Sequence, residues 1–297
     1  MKRSLKGIIL IILFNCGLVN ADSLISLITP KIYKKGLIWQ IESSQGGNGY
    51  VIGTMHVNDP GVWALFEHAR EYFNKASIVC TEVKLDFITA AAEMQAMFFN
   101  DGRTLKSVID DNKFYQRIIS LADERGLPEV MVRNMKPFTL VFMLSMPVPK
   151  GQVLDEKIYT DAIRQGKQSC GLETVEEHSR VFGSFSMDEQ VSMLKMTVKN
   201  IKEIDAIYPV LLKAYLSRDL VVMADLVSRS MIMNDKRIEK IFLQKFLIDR
   251  NKTMAERMIA KMAKGSSFFA IGAMHLPGEG GVLRLLEKRG YKISVVY

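Results

Sequence analysis

Two short segments of the chain, residues 50–56 and 269–275, repeat one pattern: an apolar run, then glycine, a small residue, methionine and histidine. Two of the four histidines, His56 and His275, fall in this pattern. Each apolar run predicts a buried strand, so each histidine is expected just beyond a strand end. Because ligands of open α/β sheets bind beyond the carboxyl ends of the strands, the repeat predicts that both imidazoles converge on one ligand. A metal ion is the first candidate.

A single Gly-x-x-His is a weak signal, since either histidine alone would more often be an ordinary hydrogen-bonded turn residue. The duplication favours a shared function. Two neutral imidazoles with one carboxylate suit zinc, manganese, iron or cobalt. Glu82 stands near the end of another predicted apolar strand, where a buried carboxylate is costly unless it is paired or bound to metal. Glu82 is therefore predicted to be a metal ligand or a general base.

Two further residues are candidate catalytic groups, each with an equal structural alternative. Glu173 follows a predicted strand, but an acid near a helix start is also favoured electrostatically. Arg250 offers a planar fork of donors for a substrate carboxylate or an oxyanion, although a structural salt bridge would explain it as well. His68 and His178 lie in predicted helices and are expected to be structural.

Other hydrolytic chemistries lack their signatures in the sequence. It contains neither the His-Glu-x-x-His zinc motif nor the Gly-x-Ser-x-Gly nucleophile elbow. Cys80 falls in a predicted buried strand, which argues against an accessible thiolate. Cys80 and Cys170 are equally compatible with a disulfide and with buried free thiols.

The elements expected around these residues give an α/β fold: a central mixed sheet carries both strand–Gly-x-x-His units, with large helical insertions between them. A hairpin is predicted over residues 37–53, and further strands over 77–83 and 168–173. The chain is predicted to end with a strand at 267–272, a helix at 280–288 and a strand at 292–297. Residues 22–297 are predicted to form a single domain.

The first residues predict export. Basic residues, a short apolar stretch and the small-residue pattern ending at Ala21 indicate a signal peptide over residues 1–21 and a periplasmic or secreted protein. Its removal lowers the formal net charge from +8 to +5. Lipid attachment at Cys16 is the minority alternative. No later run is long enough to span a membrane, and the mixed charges exclude a nucleic-acid footprint.

The residues also resemble the TraB/GumN family, which is related to the Tiki metalloproteases, over nearly the whole mature chain. The motifs that carry the resemblance are Gly53-Thr54-Met55-His56, Thr81-Glu82, Lys136-Pro137-Phe138, Leu154-Asp155, Gly171-Leu172-Glu173-Thr174, Arg250-Asn251, Gly272-Ala273-Met274-His275-Leu276-Pro277-Gly278 and Gly290-Tyr291.

This resemblance implies an α/β core and, for Tiki-like members, a divalent-metal-dependent peptidase that prefers manganese or cobalt. It implies that His56, Glu82 and His275 occupy the metal site. Where family members often carry glutamine, this chain has His178, which makes His178 a candidate accessory ligand.

The first functional hypothesis is thus a hydrolase that depends on a divalent metal ion, manganese, cobalt or zinc, and acts on a peptide or protein. The alternative is a non-catalytic protein that captures a peptide, a metal or haem in the same crevice, because thioethers such as Met55 and Met274 suit haem iron or copper. A third possibility is an assembly partner in the export of a surface polymer. The sequence leaves the oligomeric state open.

Overall fold

The computed structural model describes residues 28–43, 47–147, 151–230 and 236–297, with the backbone alone at 228–230. The predicted signal peptide and Cys16 lie outside these ranges. The strands of the described residues are β1 (Ile38–Glu42), β2 (Gly49–Thr54), β3 (Ile78–Thr81), β4 (Gln168–Gly171), β5 (Ser267–Gly272) and β6 (Lys292–Val295).

Helices supply most of the remaining regular structure. They are α1 (Pro60–Glu67), α2 (Arg70–Lys75), α3 (Phe87–Met97), α4 (Leu105–Val108), α5 (Asn112–Asp123), α6 (Glu129–Val132), α7 (Pro137–Ser145), α8 (Leu154–Arg164), α9 (Val175–Arg180), α10 (Met187–Lys199), α11 (Ile201–Leu216), α12 (Leu220–Ser230), α13 (Lys236–Phe242), α14 (Asp249–Met262) and α15 (Val282–Lys288). A π-helical segment, Leu243–Ile248, joins α13 to α14. Across the described residues, no helix combines the length and apolar character that a membrane span requires.

The strands form one mixed sheet in the order β4-β3-β5-β2-β1-β6. The first four are mutually parallel, whereas β1 runs antiparallel to both β2 and β6. The predicted α/β class, the central mixed sheet with both strand–Gly-x-x-His units, the hairpin and the helical insertions are all confirmed. The parallel pairing places the carboxyl ends of β4, β3, β5 and β2 side by side along one edge of the sheet.

Strands β3 and β4 end earlier than the sequence predicts, at Thr81 and Gly171. The Thr81 hydroxyl donates to the carbonyl of Val83 at 2.5 Å, which turns the chain out of the strand. The backbone of Glu173 still donates to the carbonyl of Glu82 at 2.7 Å. Both glutamates therefore lie just beyond the sheet, held at a fixed separation.

Helices cover both faces of the sheet. On one face, Phe268 of β5 makes edge-to-face contacts with Phe66 of α1 and Phe73 of α2, with ring centroids 6.3 and 5.5 Å apart. On the other face, Phe269 packs close to Met262 of α14 around Gly49. Full burial of each of these large apolar side chains contributes about 1.5–3 kcal/mol, so α1, α2 and α14 are fixed firmly against the strands that carry the histidines.

The glycines of the two repeated segments are required for close approach, since neither has a positive φ. A Cβ at Gly53 would lie 2.7 Å from Leu276 and 3.0 Å from the backbone of Ala273. A Cβ at Gly272 would lie 3.1 Å from a carboxylate oxygen of Glu82. The reason for glycine is therefore steric, because side chains at these positions would separate the strand ends.

Cys80 and Cys170 face each other across the β3–β4 pair and form a disulfide between residues 90 positions apart. The structure thus decides between the two alternatives that the sequence left open. The bond joins the two strands whose ends carry Glu82 and Glu173.

Replacing Cys80 and Cys170 together by alanine should lower the free energy of unfolding by about 2–5 kcal/mol, because a long closed loop in the unfolded chain becomes open. Urea denaturation followed by circular dichroism measures the change. Wild-type protein unfolded with a strong reductant is the matched control and should be weakened similarly. Equal stabilities of oxidised wild type and the double variant would contradict the prediction.

Candidate functional site

The carboxyl edge of the four parallel strands collects four of the residues that the sequence singled out. His56 follows the end of β2 by two residues, and His275 follows β5 by three. Glu82 comes directly after β3, and Glu173 follows β4 by two residues. Arg250, in the first turn of α14, reaches the same edge from the helix layer.

His275 is buried and held by an asparagine. Its Nδ1 lies 2.6 Å from Oδ1 of Asn251, whose amide nitrogen donates to the carbonyl of Gly280 at 2.7 Å. Since that nitrogen is committed as a donor, the Asn251 oxygen is the acceptor and His275 carries its proton on Nδ1. The opposite ring nitrogen, Nε2, keeps its lone pair and lies 3.6 Å from Oε1 of Glu82.

The charges of this pair follow from burial and neighbours. Burial lowers the pKa of His275 to about 4, an effect larger than the increase due to Glu82. Burial also opposes ionisation of Glu82, but His275, the Arg250 guanidinium and the backbone N–H of Gly272 together hold its pKa well below its usual range. At neutral pH the site therefore pairs a neutral imidazole with an ionised carboxylate.

His56 is supported in a similar way, although its side chain is 62% exposed. Its Nδ1 lies 3.3 Å from Oδ2 of the buried Asp155, an oxygen that accepts no hydrogen bond from the described residues. The other Asp155 oxygen accepts the Thr54 hydroxyl at 2.7 Å. The carboxylate of Asp155 is the main cause of the raised pKa of His56. With Nδ1 facing Asp155, Nε2 is left available for another partner.

Arg250 bridges the two glutamates. Its Nη2 donates to Glu82 at 2.7 Å and to Glu173 at 2.6 Å, and its Nε donates to both Glu173 oxygens at 3.0 and 2.9 Å. The side chain of Glu173 is only 2% exposed. The second Glu82 oxygen accepts the Gly272 N–H at 2.6 Å. Glu173 thus holds the guanidinium, while Glu82 is the carboxylate that faces His275.

Arg250 has little donor capacity left. Its remaining nitrogen, Nη1, makes one long contact of 3.5 Å with the carbonyl of Phe246. Phe246 lies in the π-helical segment immediately before α14. Such π-helical turns often occur at functional sites. This one directly precedes α14, the helix that carries Arg250. Only Nη1 is available to a substrate in this arrangement.

Three other candidates lie outside this group. His178 has Nδ1 2.8 Å from a carboxylate oxygen of Glu93, so it pairs with α3. Met55 is buried in the main core, and Met274 packs between that core and a small cluster around Ile28. These contacts explain both methionines as packing residues. The ring of His68 stacks on Tyr297, with centroids 3.7 Å apart.

Two supporting residues escaped the sequence analysis as such. Asp155 and Asn251 appeared there only inside motifs, without a role. A buried acid in the first turn of an amphipathic helix was the available signal for Asp155. The sequence held no comparable signal for Asn251, because its partner His275 is 24 residues away.

The structure brings His275, Glu82, Arg250 and Glu173 into contact. His56 stands at the same edge of the sheet but contacts Asp155 instead. Within residues 28–43, 47–147, 151–230 and 236–297, no three histidine, cysteine, aspartate or glutamate side chains are grouped closely enough to hold a metal ion. Donor atoms of the appropriate chemistry are His56 Nε2, His275 Nε2 and the Glu82 carboxylate.

Replacing Arg250 by methionine should lower the free energy of unfolding by about 3–5 kcal/mol, because two buried carboxylates lose their countercharge. Chemical denaturation at neutral pH measures this loss. The matched control is Arg289→Met, whose partner Glu256 is exposed; it should cost less than about 1 kcal/mol. Equal losses for the two variants would contradict the stated role of Arg250.

The chain was compared with known proteins. It is 22% identical to the metalloprotease TIKI1 of Danio rerio over 318 residues, which cover 90% of this chain and 64% of that protein. It is 24% identical to TIKI2 of Danio rerio and to TIKI1 of Xenopus tropicalis, in each case over 82% of this chain and 58% of the relative. The chain thus spans less than two thirds of the length of these relatives. No solved structure matches it.

A family model gives the broader relationship. The model of the TraB/PrgY/gumN family matches residues 37–295, a range that includes all six strands described above and every residue of the candidate site. The resemblance that the motifs predicted is confirmed: this chain belongs to the TraB/PrgY/gumN family.

Proposed function

We propose that this chain is a metal-dependent peptidase that acts in the periplasm or outside the cell, with His56, His275 and Glu82 as ligands of a divalent cation. The names of the relatives support a metalloprotease, and their low identity leaves the substrate to be found by experiment. The observation that carries the proposal is the support behind the two histidines: each presents Nδ1 to a buried oxygen, of Asp155 or Asn251.

This support fits the requirements of a metal centre. Histidines that bind metals almost always donate their other ring N–H to a carboxylate or carbonyl, which fixes the tautomer and the ring orientation. In this chain the donors left over are two Nε2 atoms and one ionised carboxylate, a set suited to zinc, manganese or cobalt. The His56 ring is exposed at the same edge of the sheet as the other two groups.

The protein side chains have distinct roles in this proposal. A divalent cation bound here would lower the pKa of water from 15.7 toward about 7 and polarise a peptide carbonyl. Glu82, held ionised, is placed to bind the cation or to accept a proton. Arg250 fixes Glu82 and Glu173 fixes Arg250, and Nη1 of Arg250 makes only one long contact, with the carbonyl of Phe246. Glu173 is thus a positioning residue in this proposal.

Export is supported by two independent features. The first residues have the character of a signal peptide, and the Cys80–Cys170 disulfide is typical of an oxidising compartment. A non-catalytic haem or copper protein is less well supported, because Met55 and Met274 are accounted for by packing.

Replacing His275 or His56 by alanine should reduce cleavage of a mixed peptide pool at least about 100-fold, because either change removes a proposed ligand. Chelation should abolish turnover, and added manganese, cobalt or zinc should restore it. His68→Ala, at the exposed residue that follows α1, is the matched control. Mass spectrometry of the products measures cleavage; full activity in either variant would refute the proposal.

Replacing Glu82 by glutamine should impair turnover more than Glu173→Gln, because Glu82 is the proposed ligand or base, whereas Glu173 acts through Arg250. Rates on the same peptide pool give the comparison. Both variants should remain folded by circular dichroism. Equal losses in turnover would contradict this assignment of roles.

Replacing Asn251 or Asp155 by alanine should weaken metal binding by about 10–100-fold, because an imidazole would lose its fixed tautomer. Isothermal titration of chelator-treated protein with zinc measures the affinity without any need for activity. Asn112→Ala, at the exposed start of α5, is the matched control. Unchanged affinity in both test variants would show that these residues do not support the ligands.

A further inference from the structure

A cavity of about 330 Å³ is lined by residues that neighbour those of the candidate site in sequence. Its walls come from the loop after β3 and from helices α3 and α8. The residues that line it include Lys84, Thr89, Glu93, Glu156, Tyr159 and Thr160. Since one water occupies about 30 Å³ of the liquid, the cavity has room for about ten heavy atoms, enough for a long amino-acid side chain.

Two residues that line the cavity are close in sequence to residues of the candidate site. Lys84 follows Glu82 by two residues, and Glu156 directly follows Asp155, the partner of His56. On the opposite wall Glu93 lies 2.8 Å from His178. A group that fills this cavity therefore lies next to the carboxyl ends of β2 and β3.

The charges of the cavity are unbalanced. The ammonium of Lys84 is neutralised by Asp86 at 2.8 Å. No lysine or arginine of the described ranges forms an ion pair with Glu93 or Glu156.

The rest of the lining suits a long side chain with a positive end. The ring of Tyr159, partly buried, provides an aromatic wall, and the hydroxyls of Thr89 and Thr160 provide acceptors. A lysine or arginine side chain has an apolar stem and a cationic tip, which matches an aromatic wall and two carboxylates. Glu93 contacts His178 through one oxygen and Glu156 accepts the Val153 N–H through one oxygen, so each has a second oxygen for a cation. An acidic side chain would be repelled.

Helix α3 presents large apolar side chains to solvent next to the cavity. The helix supplies Thr89 and Glu93 to the cavity, yet none of its residues is buried. Phe87 and Ile88, at its start, are 87% and 79% exposed, and Met94 is 61% exposed. Large apolar side chains exposed together mark an interaction surface. A polypeptide would cover this surface, whereas a free amine would leave it in water.

We infer that this cavity, called here the acidic subsite, receives a lysine or arginine side chain of a polypeptide whose neighbouring residues lie on α3. The inference rests on the proposed peptidase function and names its substrate class: peptides with a basic residue near the bond that is cleaved. Glu93 and Glu156 determine the specificity, and Phe87 and Ile88 hold the flanking residues.

The inference is tested by binding in the absence of metal. Fluorescein-labelled, end-blocked heptapeptides with lysine, norleucine or glutamate at the centre are titrated into chelator-treated protein and followed by anisotropy. The lysine peptide should bind about tenfold more tightly than the norleucine peptide, because two partly exposed ion pairs each contribute a few-fold. The glutamate peptide should bind most weakly.

Substitutions test which residues cause the preference for the lysine peptide. The double variant Glu93→Gln/Glu156→Gln should bind the lysine and norleucine peptides equally, and Phe87→Ser/Ile88→Ser should weaken all three peptides to a similar extent. Glu124→Gln and Val130→Ser, which change an exposed acid and an exposed apolar residue elsewhere, are the matched controls and should behave as wild type.

Several results would overturn the inference. These are equal binding of lysine and norleucine peptides to wild type, a lysine preference that survives in the double glutamine variant, and no binding of any peptide at millimolar concentration. Dimerisation or vesicle binding that is lost in Phe87→Ser/Ile88→Ser, with peptide binding unchanged, would reassign α3 to another partner. Because the binding assay needs no turnover, the two proposals can fail separately. If His275→Ala loses cleavage but wild type does not prefer the lysine peptide, the acidic subsite is refuted and the peptidase proposal is not.

Discussion

The bridge that Arg250 forms between Glu82 and Glu173 is the interaction on which the rest of the site depends. Three charged groups are largely removed from water, and such groups are tolerated only when their hydrogen bonds are nearly complete. These hydrogen bonds form only if β3 and β4 end side by side, if α14 begins where Arg250 can reach both strand ends, and if Gly272 approaches Glu82 closely. The disulfide between β3 and β4 and the π-helical segment before α14 satisfy two of these conditions. The fold therefore positions one ionised carboxylate beside one neutral imidazole.

The two histidines are supported by different helices, and in each case a helix side chain faces the Nδ1 atom of the ring. Asn251 is adjacent to Arg250 in α14, so the helix that fixes Glu82 also fixes His275. Asp155 belongs to α8, which packs on the opposite face of the sheet from α14, and it fixes His56 from there. The site thus lies where both helix layers meet the carboxyl edge of the parallel strands. This location is the crevice in which open α/β sheets ordinarily bind ligands.

The sequence predicted what local patterns encode. Apolar runs identified the strands around Gly53 and Gly272. The same reasoning placed Glu82 near the end of a strand predicted over residues 77–83, whereas β3 ends at Thr81 and Glu82 follows it. What could not be predicted were contacts between distant residues: Thr54 with Asp155 across 101 positions, or Arg250 with Glu82 across 168. For the same reason the two equal alternatives for Glu173 could be separated only after folding placed Arg250 against it.

The central claim is that histidines from two strand ends share one cation with Glu82. Crystals soaked in zinc and measured at the zinc absorption edge test it most directly. The account predicts one anomalous peak about 2.0–2.1 Å from Nε2 of both His56 and His275, with a Glu82 oxygen at about 2.0–2.2 Å. A peak that contacts only one histidine, or binding confined to other surfaces of the protein, would contradict it.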